Sequence, residues 1–65
     1  MELIINGKRQ EVVANTVAAL LAELEFEGDF FVVAVNRAVV RRRRWQDAEI
    51  KDGDAVEILT PRQGG

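Results

Sequence analysis

The sequence is built around Thr16-Val17-Ala18-Ala19-Leu20-Leu21-Ala22-Glu23-Leu24, a stretch that predicts one amphipathic helix. Its large apolar residues recur at i, i+3, i+4 and i+7, so they fall on one face of a helix. Thr16, or Asn15 before it, can cap the helix by accepting a hydrogen bond from a backbone N–H of the first turn. Gly28 lies just past an expected end near Glu25. We interpret the leucine stripe as a core face and not as a cofactor site.

Strands are predicted on both sides of this helix. Asn6-Gly7 lies between the apolar runs 3–5 and 11–13, and both residues accept the positive φ of a type I′ turn, so residues 2–6 and 9–13 are predicted to form an antiparallel hairpin. Residues 30–35 form a continuous apolar run rich in β-branched residues, which indicates a buried strand. Asn36-Arg37 is a turn candidate before the short strand Ala38-Val39-Val40.

The last predicted strand completes the fold. Lys51-Asp52-Gly53-Asp54 is a turn with glycine where positive φ is expected, and residues 55–59 are predicted to be an interior strand. The helix must cover one face of the sheet, because no other segment of the chain can do so. A hairpin, a crossing helix and a last strand returning beside the first describe the β-grasp arrangement, an α+β fold with a central parallel strand pair.

Composition excludes several function classes. The 65 residues make one domain (1–65), and a net charge of −2 implies no general attraction to nucleic acid or to an anionic membrane. The chain has no cysteine and no histidine, which excludes disulfides, thiol nucleophiles, zinc sites and the usual general base. Neither a signal peptide nor a bilayer-spanning run is predicted, so we expect a cytoplasmic protein.

The chain ends in Thr60-Pro61-Arg62-Gln63-Gly64-Gly65, which is expected to be a flexible tail over residues 60–65. Two glycines let the backbone enter a narrow channel and leave the terminal carbonyl carbon accessible. A free carboxylate is anionic at neutral pH and resists nucleophiles, so another protein would have to activate it. A frayed end or a truncation is the alternative interpretation.

Four consecutive arginines, Arg41, Arg42, Arg43 and Arg44, precede Trp45. They are interpreted as a solvated loop, as a docking site for an acidic partner or as a nucleic-acid patch. The net acidity of the chain argues against nucleic acid, because neutralisation of the phosphate backbone dominates such binding. Trp45 is expected to cap the edge of the core and not to stack on a base.

Asp52 and Asp54 are interpreted as turn residues and not as a metal site or an acid/base pair. An acidic group at and beyond the end of the helix is expected to be a solvated rim: Glu23, Glu25, Glu27 and Asp29.

Several of these residues occur in the order found in a known family. They are Thr16, Val17, Leu20, Leu21, Ala34-Val35-Asn36, Val39-Val40, Trp45, Asp52-Gly53-Asp54 and Gly64-Gly65. Over essentially the whole chain they resemble ThiS, the family of small sulfur carriers in thiamine biosynthesis, which is similar in fold to ubiquitin. The arginine run departs from the family pattern, in which a proline and fewer basic residues often follow the valine pair.

The resemblance implies a protein cosubstrate and not an enzyme. An adenylating enzyme would use ATP to convert the Gly65 carboxylate into an acyl-adenylate, and sulfur from a persulfide protein would displace AMP. Thiazole synthase would then consume the thiocarboxylate. Gly64 and Gln63 would give access to the enzyme's channel, and Arg62 together with residues 41–44 would be possible docking residues. The chain itself would bind no cofactor and no metal.

Two alternatives to this function remain open at the level of sequence. The same tail and fold serve carriers that deliver sulfur to molybdopterin or to tRNA thiolation. A protein of a different class, a β-grasp binding module, would use residues 41–44 to hold RNA or an acidic partner and would have an idle tail.

Overall fold

The computed structural model describes residues 1–26 and 30–60, and in this part of the chain it contains a five-stranded sheet and one α-helix. The elements in chain order are β1 (Glu2–Ile5), β2 (Lys8–Glu11), α1 (Val17–Glu23), β3 (Val32–Val35), β4 (Ala38–Val40), a 3-10 turn (Arg42–Arg44) and β5 (Ala55–Leu59). No helix among the described residues is long and apolar enough to cross a membrane.

The strands lie in the order β2-β1-β5-β3-β4, so the last strand occupies the centre of the sheet. β5 runs parallel to β1, with Ile4 opposite Ala55, and antiparallel to β3, with Val33 opposite Ile58. The predicted parallel pair of first and last strands is therefore confirmed. The interior position predicted for residues 55–59 is confirmed as well.

Both hairpins turn through residues with positive φ. Asn6 and Gly7 have φ of 51° and 84°, and Asn36 and Arg37 have φ of 51° and 73°. Both residues of each turn therefore adopt the left-handed conformation that a type I′ turn requires, and asparagine tolerates it better than most residues. The first hairpin is confirmed, with bounds that differ from those predicted. β1 ends at Ile5 because Asn6 belongs to the turn, and β2 begins at Lys8 and ends at Glu11, so Val12 and Val13 lie beyond it.

The helix is capped at both ends. The Thr16 hydroxyl accepts a hydrogen bond from the Ala19 N–H at 3.1 Å, as predicted for an N-cap. At the other end the Phe26 N–H donates to the Leu21 carbonyl at 2.9 Å and the Glu25 N–H donates to the Ala22 carbonyl at 3.1 Å. This pair of bonds is a Schellman motif, and its left-handed residue is Glu25 with φ of 64°. The helix therefore ends close to the predicted position near Glu25, and Gly28 lies outside the described residues.

The core lies between the helix and one face of the sheet. The fully or nearly fully buried residues are Leu3, Ile5, Val33, Val56 and Ile58 from the strands and Val17, Leu20 and Leu21 from the helix. The first three residues of the predicted stripe are therefore a core face, whereas Leu24, the C-cap residue, is only partly buried against it. Burial of one such core side chain is worth about 1.5–3 kcal/mol. In a chain of this size each of these side chains is a large share of the total stability.

The segment after β4 closes one end of this core. Trp45 is 8% exposed, and its indole N–H donates to the Val40 carbonyl at 3.0 Å. The Trp45 carbonyl accepts from the Ala18 N–H at 2.9 Å, and the Ala48 carbonyl accepts from the Val17 N–H at 3.0 Å. These bonds satisfy N–H groups of the first helical turn, which a helix leaves without intrahelical partners. Trp45 is thus a buried member of the core edge, as expected.

Candidate functional site

The candidate site lies where β5 leads into the C-terminal segment. β5 ends at Leu59, and Thr60 is the last residue that the structure describes. Four predicted site residues lie outside the described residues: Arg62, Gln63, Gly64 and Gly65. The part of the site that the structure does describe is the base from which this segment continues.

A side-chain amide holds the end of β5 in place. Nδ2 of Asn6 donates to the Ile58 carbonyl at 3.2 Å, and Oδ1 accepts from the Ile58 N–H at 2.9 Å. The Asn6 backbone N–H also donates to the Val56 carbonyl at 2.9 Å. The amide therefore continues the parallel β1–β5 ladder beyond its last paired residues, Ile5 and Val56. It fixes the strand just before the C-terminal segment begins.

A second asparagine holds the beginning of the same strand. Oδ1 of Asn36 accepts from the Ala55 N–H at 3.0 Å, and Nδ2 donates to a carboxylate oxygen of Asp54 at 3.0 Å. The Asn36 backbone N–H donates to the Ala55 carbonyl at 2.7 Å. Two hairpin turns thus hold the two ends of β5. The sequence pattern indicates both asparagines only as turn formers, because their second role depends on residues distant in the chain.

A small cleft lies beside the end of β5. It measures about 360 Å³ and is lined by Asn6, Phe26, Ile58, Leu59 and Thr60. The Phe26 ring packs edge-on against Phe31, with 5.3 Å between the ring centroids and an interplanar angle of 84°. Phe26 thus forms one wall of the cleft, and Phe31 packs against it from the chain after residues 27–29.

The sheet face opposite the helix carries an apolar patch. We call it the open-face patch, and it consists of Ile4, Val32, Val39 and Leu59, which are 37%, 41%, 67% and 59% exposed. Val32 and Leu59 are direct cross-strand partners, and both alternate along their strands with the buried core residues Val33 and Ile58. Val32 and Leu59 place one side of the patch at the end of β5, and the exposed Glu57 lies on the same face between Leu59 and Ala55. Surface patches of this kind mark interaction sites.

The four arginines lie at the edge of the sheet next to β4. All four are exposed, and Arg42–Arg44 form the 3-10 turn, so the predicted loop is more regular than expected. An open cleft of about 800 Å³ adjoins this turn and is lined by Ala18, Arg41, Arg42, Arg43, Trp45 and Gln46. The burial of Trp45 leaves no exposed indole face for stacking in this cleft.

The two acidic turn residues accept hydrogen bonds from backbone N–H groups. A carboxylate oxygen of Asp52 accepts from the Glu2 N–H at 2.7 Å, and a carboxylate oxygen of Asp54 accepts from the Lys51 N–H at 2.8 Å. Gly53 between them has φ of 89°, as expected for this turn. The interpretation as turn residues is confirmed. Within residues 1–26 and 30–60 no three acidic side chains gather into a group that would hold a metal ion.

A sequence model of the ThiS family matches residues 3–65. The chain belongs to the ThiS family. This ThiS-family protein is similar to the crystal structure of the thiamine biosynthesis protein ThiS from Geobacter metallireducens, with 35% identity, complete coverage of both chains (100%) and a TM-score of 0.86. It is also similar to the NMR solution structure of a thiamine biosynthesis protein from Geobacter metallireducens, with 35% identity, 100% of this chain and 88% of that chain covered, and a TM-score of 0.82. A search of curated proteins finds no match.

These comparisons confirm the ThiS resemblance and the β-grasp fold. They match essentially the whole chain, including the segment of the family match that runs through Gly64 and Gly65.

Proposed function

We propose that this ThiS-family protein is a sulfur carrier of thiamine biosynthesis and that the carboxylate of Gly65 carries the sulfur. The observation that supports this most directly is the Gly64-Gly65 end, which follows the last strand of a ThiS-family chain. Glycine has no side chain at Cβ, so two glycines can pass through a channel too narrow for other residues. Partner enzymes then recognise the surface of the folded domain that carries this end.

The chemistry begins with activation of a poor electrophile. An oxygen of the Gly65 carboxylate attacks the α-phosphorus of ATP on a partner adenylating enzyme, and pyrophosphate leaves. The product is an acyl-adenylate, whose carbonyl carbon now carries a good leaving group. The chain contains no cysteine and no histidine, so it has no thiol or imidazole that would attack its own activated end. It acts as a cosubstrate, and ATP is bound by the partner and not by this chain.

Sulfur enters in the second step. The terminal sulfur of a persulfide on a donor protein attacks the carbonyl carbon, and AMP leaves with the bonding electron pair. A thiolate then attacks the donor's sulfur in the resulting acyl disulfide, which releases the thiocarboxylate on Gly65 and leaves a protein disulfide. Thiazole synthase takes the sulfur from the thiocarboxylate, and the carboxylate is restored in the process.

The open-face patch is the surface on which the adenylating enzyme docks in this proposal. Leu59 belongs to the patch and is also the last residue of β5 before Thr60, so an enzyme that accepts the C-terminal segment must also approach this face. The two asparagine side chains hold β5 at both ends, so the segment starts from a fixed position. Fixing the starting point reduces the conformational freedom that is lost when the end is placed in an active site.

Intact-mass measurement tests the proposed chemistry. The chain is incubated with the adenylating enzyme, ATP and a persulfide donor, and the expected result is a mass increase that equals the exchange of one oxygen for sulfur. A variant that lacks Gly65 and a variant with one residue added after Gly65 are the matched controls, and both should keep their mass. Modification of either control, or no modification of the parent chain, would contradict the proposal. Transfer of the sulfur by thiazole synthase, followed as loss of the added mass, tests the assignment to thiamine.

A further inference from the structure

The basic residues of this chain are concentrated in one segment. Five arginines lie between positions 37 and 44, and this segment contains no acidic residue, although the whole chain has a net charge of −2. Within residues 1–26 and 30–60, Arg41, Arg43 and Arg44 take part in no ion pair, and all three are exposed. Like charges this close repel each other, so their concentration is unfavourable for the isolated domain.

The backbone beneath these arginines is held firmly. The Arg44 N–H donates to the Arg41 carbonyl at 2.8 Å, and the Arg44 carbonyl accepts from the Ala48 N–H at 2.8 Å. The buried indole of Trp45 anchors the turn to the core and to the Val40 carbonyl. The turn thus presents its side chains from a fixed position, which reduces the ordering cost when they contact a partner.

The cleft next to the turn is suited to carboxylates. Arg41 and Arg43 both line it, and Ala18 and the edge of Trp45 supply apolar wall. A guanidinium group presents its N–H donors as a planar fork that matches the two oxygens of a carboxylate. Glutamate or aspartate side chains of a partner protein fit this arrangement of charge and donors.

A protein partner is favoured over nucleic acid by two observations. Proteins that bind single strands use exposed aromatic side chains for base stacking, whereas Trp45 is only 8% exposed. Exposed acidic residues also border the turn, at Asp47 and Glu49, and they would repel a phosphate backbone. A compact acidic patch on a folded protein can contact the arginines without approaching these two carboxylates. The phosphates of an extended nucleic acid would come close to both of them.

We propose that the arginine turn (residues 41–44) is a second docking point, on which an acidic surface of the adenylating enzyme binds. The turn directly follows the edge strand β4, whose Val39 belongs to the open-face patch, whereas Ala18 in the cleft belongs to the helix on the other face of the sheet. A partner that reaches around the β4 edge therefore contacts both surfaces. The apolar patch supplies the contact area, and the arginines raise the rate of encounter and fix the orientation. This inference rests on the proposed function, because it takes the adenylating enzyme as the partner.

Binding of the purified adenylating enzyme to the full chain tests the inference. The double variant R41Q/R43Q removes two charges that line the cleft, and the double variant K8Q/K51Q removes two exposed charges elsewhere, on β2 at the opposite edge and in the 51–54 turn. At low salt we expect R41Q/R43Q to weaken binding about fivefold to tenfold, mainly through a slower association rate. We expect the difference to shrink at high salt, where exposed charges are screened. The control should stay within about twofold of the parent chain.

Three results would overturn the inference. They are equal weakening in both double variants, no weakening in R41Q/R43Q, and binding of a labelled single-stranded RNA that R41Q/R43Q abolishes while enzyme binding stays unchanged. Sulfur loading of the parent chain at saturating enzyme is measured in parallel by intact mass. Failure of that loading would contradict the proposed function, whereas normal loading with unaffected binding in R41Q/R43Q would contradict only the docking inference.

Discussion

The side-chain amide of Asn6 and the backbone of Ile58 exchange two hydrogen bonds across 52 positions of sequence. Through them the first hairpin turn of this ThiS-family protein holds the strand that leads into its C-terminal segment. Asn6 has a second task in the same place, since its φ of 51° is one that few residues adopt without strain. The turn and the strand end are therefore coupled through one side chain.

The two tasks of Asn6 can be separated by substitution. Asn6→Gly keeps the positive φ but removes both bonds to Ile58, and we expect a loss of about 1–2 kcal/mol in the free energy of unfolding because a buried N–H is left without a partner. Asn6→Asp keeps the acceptor for that N–H and should cost less. Urea denaturation measures both values, and hydrogen exchange at the Ile58 amide should be fastest in Asn6→Gly. Equal stability of the glycine variant and the parent chain would contradict the role of the side chain.

Glu25 holds the left-handed position of the helix C-terminus, where glycine is usual. Its φ of 64° costs a non-glycine residue about 1–2 kcal/mol, while glycine adopts it without steric strain. We therefore expect Glu25→Gly to raise the unfolding free energy by about 0.5–1 kcal/mol after the larger chain entropy of glycine is subtracted. The matched control is Ala22→Gly within the helix, which should lower it by about the same amount. Destabilisation by Glu25→Gly in urea denaturation would contradict this account.

The Glu23 carboxylate ties the helix to the chain before it. Its Oε1 accepts from the Ala14 N–H at 2.9 Å, and both oxygens lie 3.1 Å from the Val13 nitrogen. We expect Glu23→Ala to lower the unfolding free energy by about 1–2 kcal/mol, because both N–H groups lose a charged acceptor. Glu23→Gln keeps one acceptor oxygen and should lose roughly half as much. If thermal or urea unfolding shows the alanine and glutamine variants to be equal, the acceptor role is wrong.

The open-face patch should matter for docking and not for folding. Val39→Ser alters a side chain that is 67% exposed, so we expect little change in stability. We expect kcat/KM for adenylation to fall about tenfold. This corresponds to a loss of about 1.4 kcal/mol in the apolar contact between Val39 and the enzyme. Val13→Ser is the matched control, because Val13 is 90% exposed and lies outside the sheet. An equal effect of the two substitutions on kcat/KM would contradict docking on this face.

Trp45 is expected to contribute to the core and to the arginine turn together. Trp45→Phe keeps an aromatic ring but removes the N–H that donates to the Val40 carbonyl, and the smaller ring leaves space in the core. We expect a loss of about 1–3 kcal/mol in the free energy of unfolding. Urea denaturation followed by circular dichroism measures it, because the substitution removes the only tryptophan of the chain. An unchanged midpoint would show that the indole is not part of the core edge.

Local signals in the sequence predicted most of the elements. The spacing of Val17, Leu20 and Leu21 identified the buried helix face, and Asn6-Gly7 identified the first hairpin, because both patterns depend on neighbours within a few residues. The same applies to Gly53, whose positive φ is a property of its own turn. Element ends were less accurate. β2 ends at Glu11 and not at Val13, and β3 begins at Val32 and not at Phe30, because strand ends depend on pairing with strands distant in sequence.

The class of fold, the order of its elements and the ThiS resemblance follow from local patterns, since turn chemistry and hydrophobic periodicity involve near neighbours in the chain. Three features appear only in the folded protein: Asn6 and Asn36 hold the two ends of β5, Trp45 is buried beside the arginine turn, and apolar side chains lie on the open face near Leu59. The partners in these contacts are distant in sequence, as with Asn6 and Ile58. Folding brings them together because the last strand inserts between β1 and β3, and no pattern within a short window encodes that position.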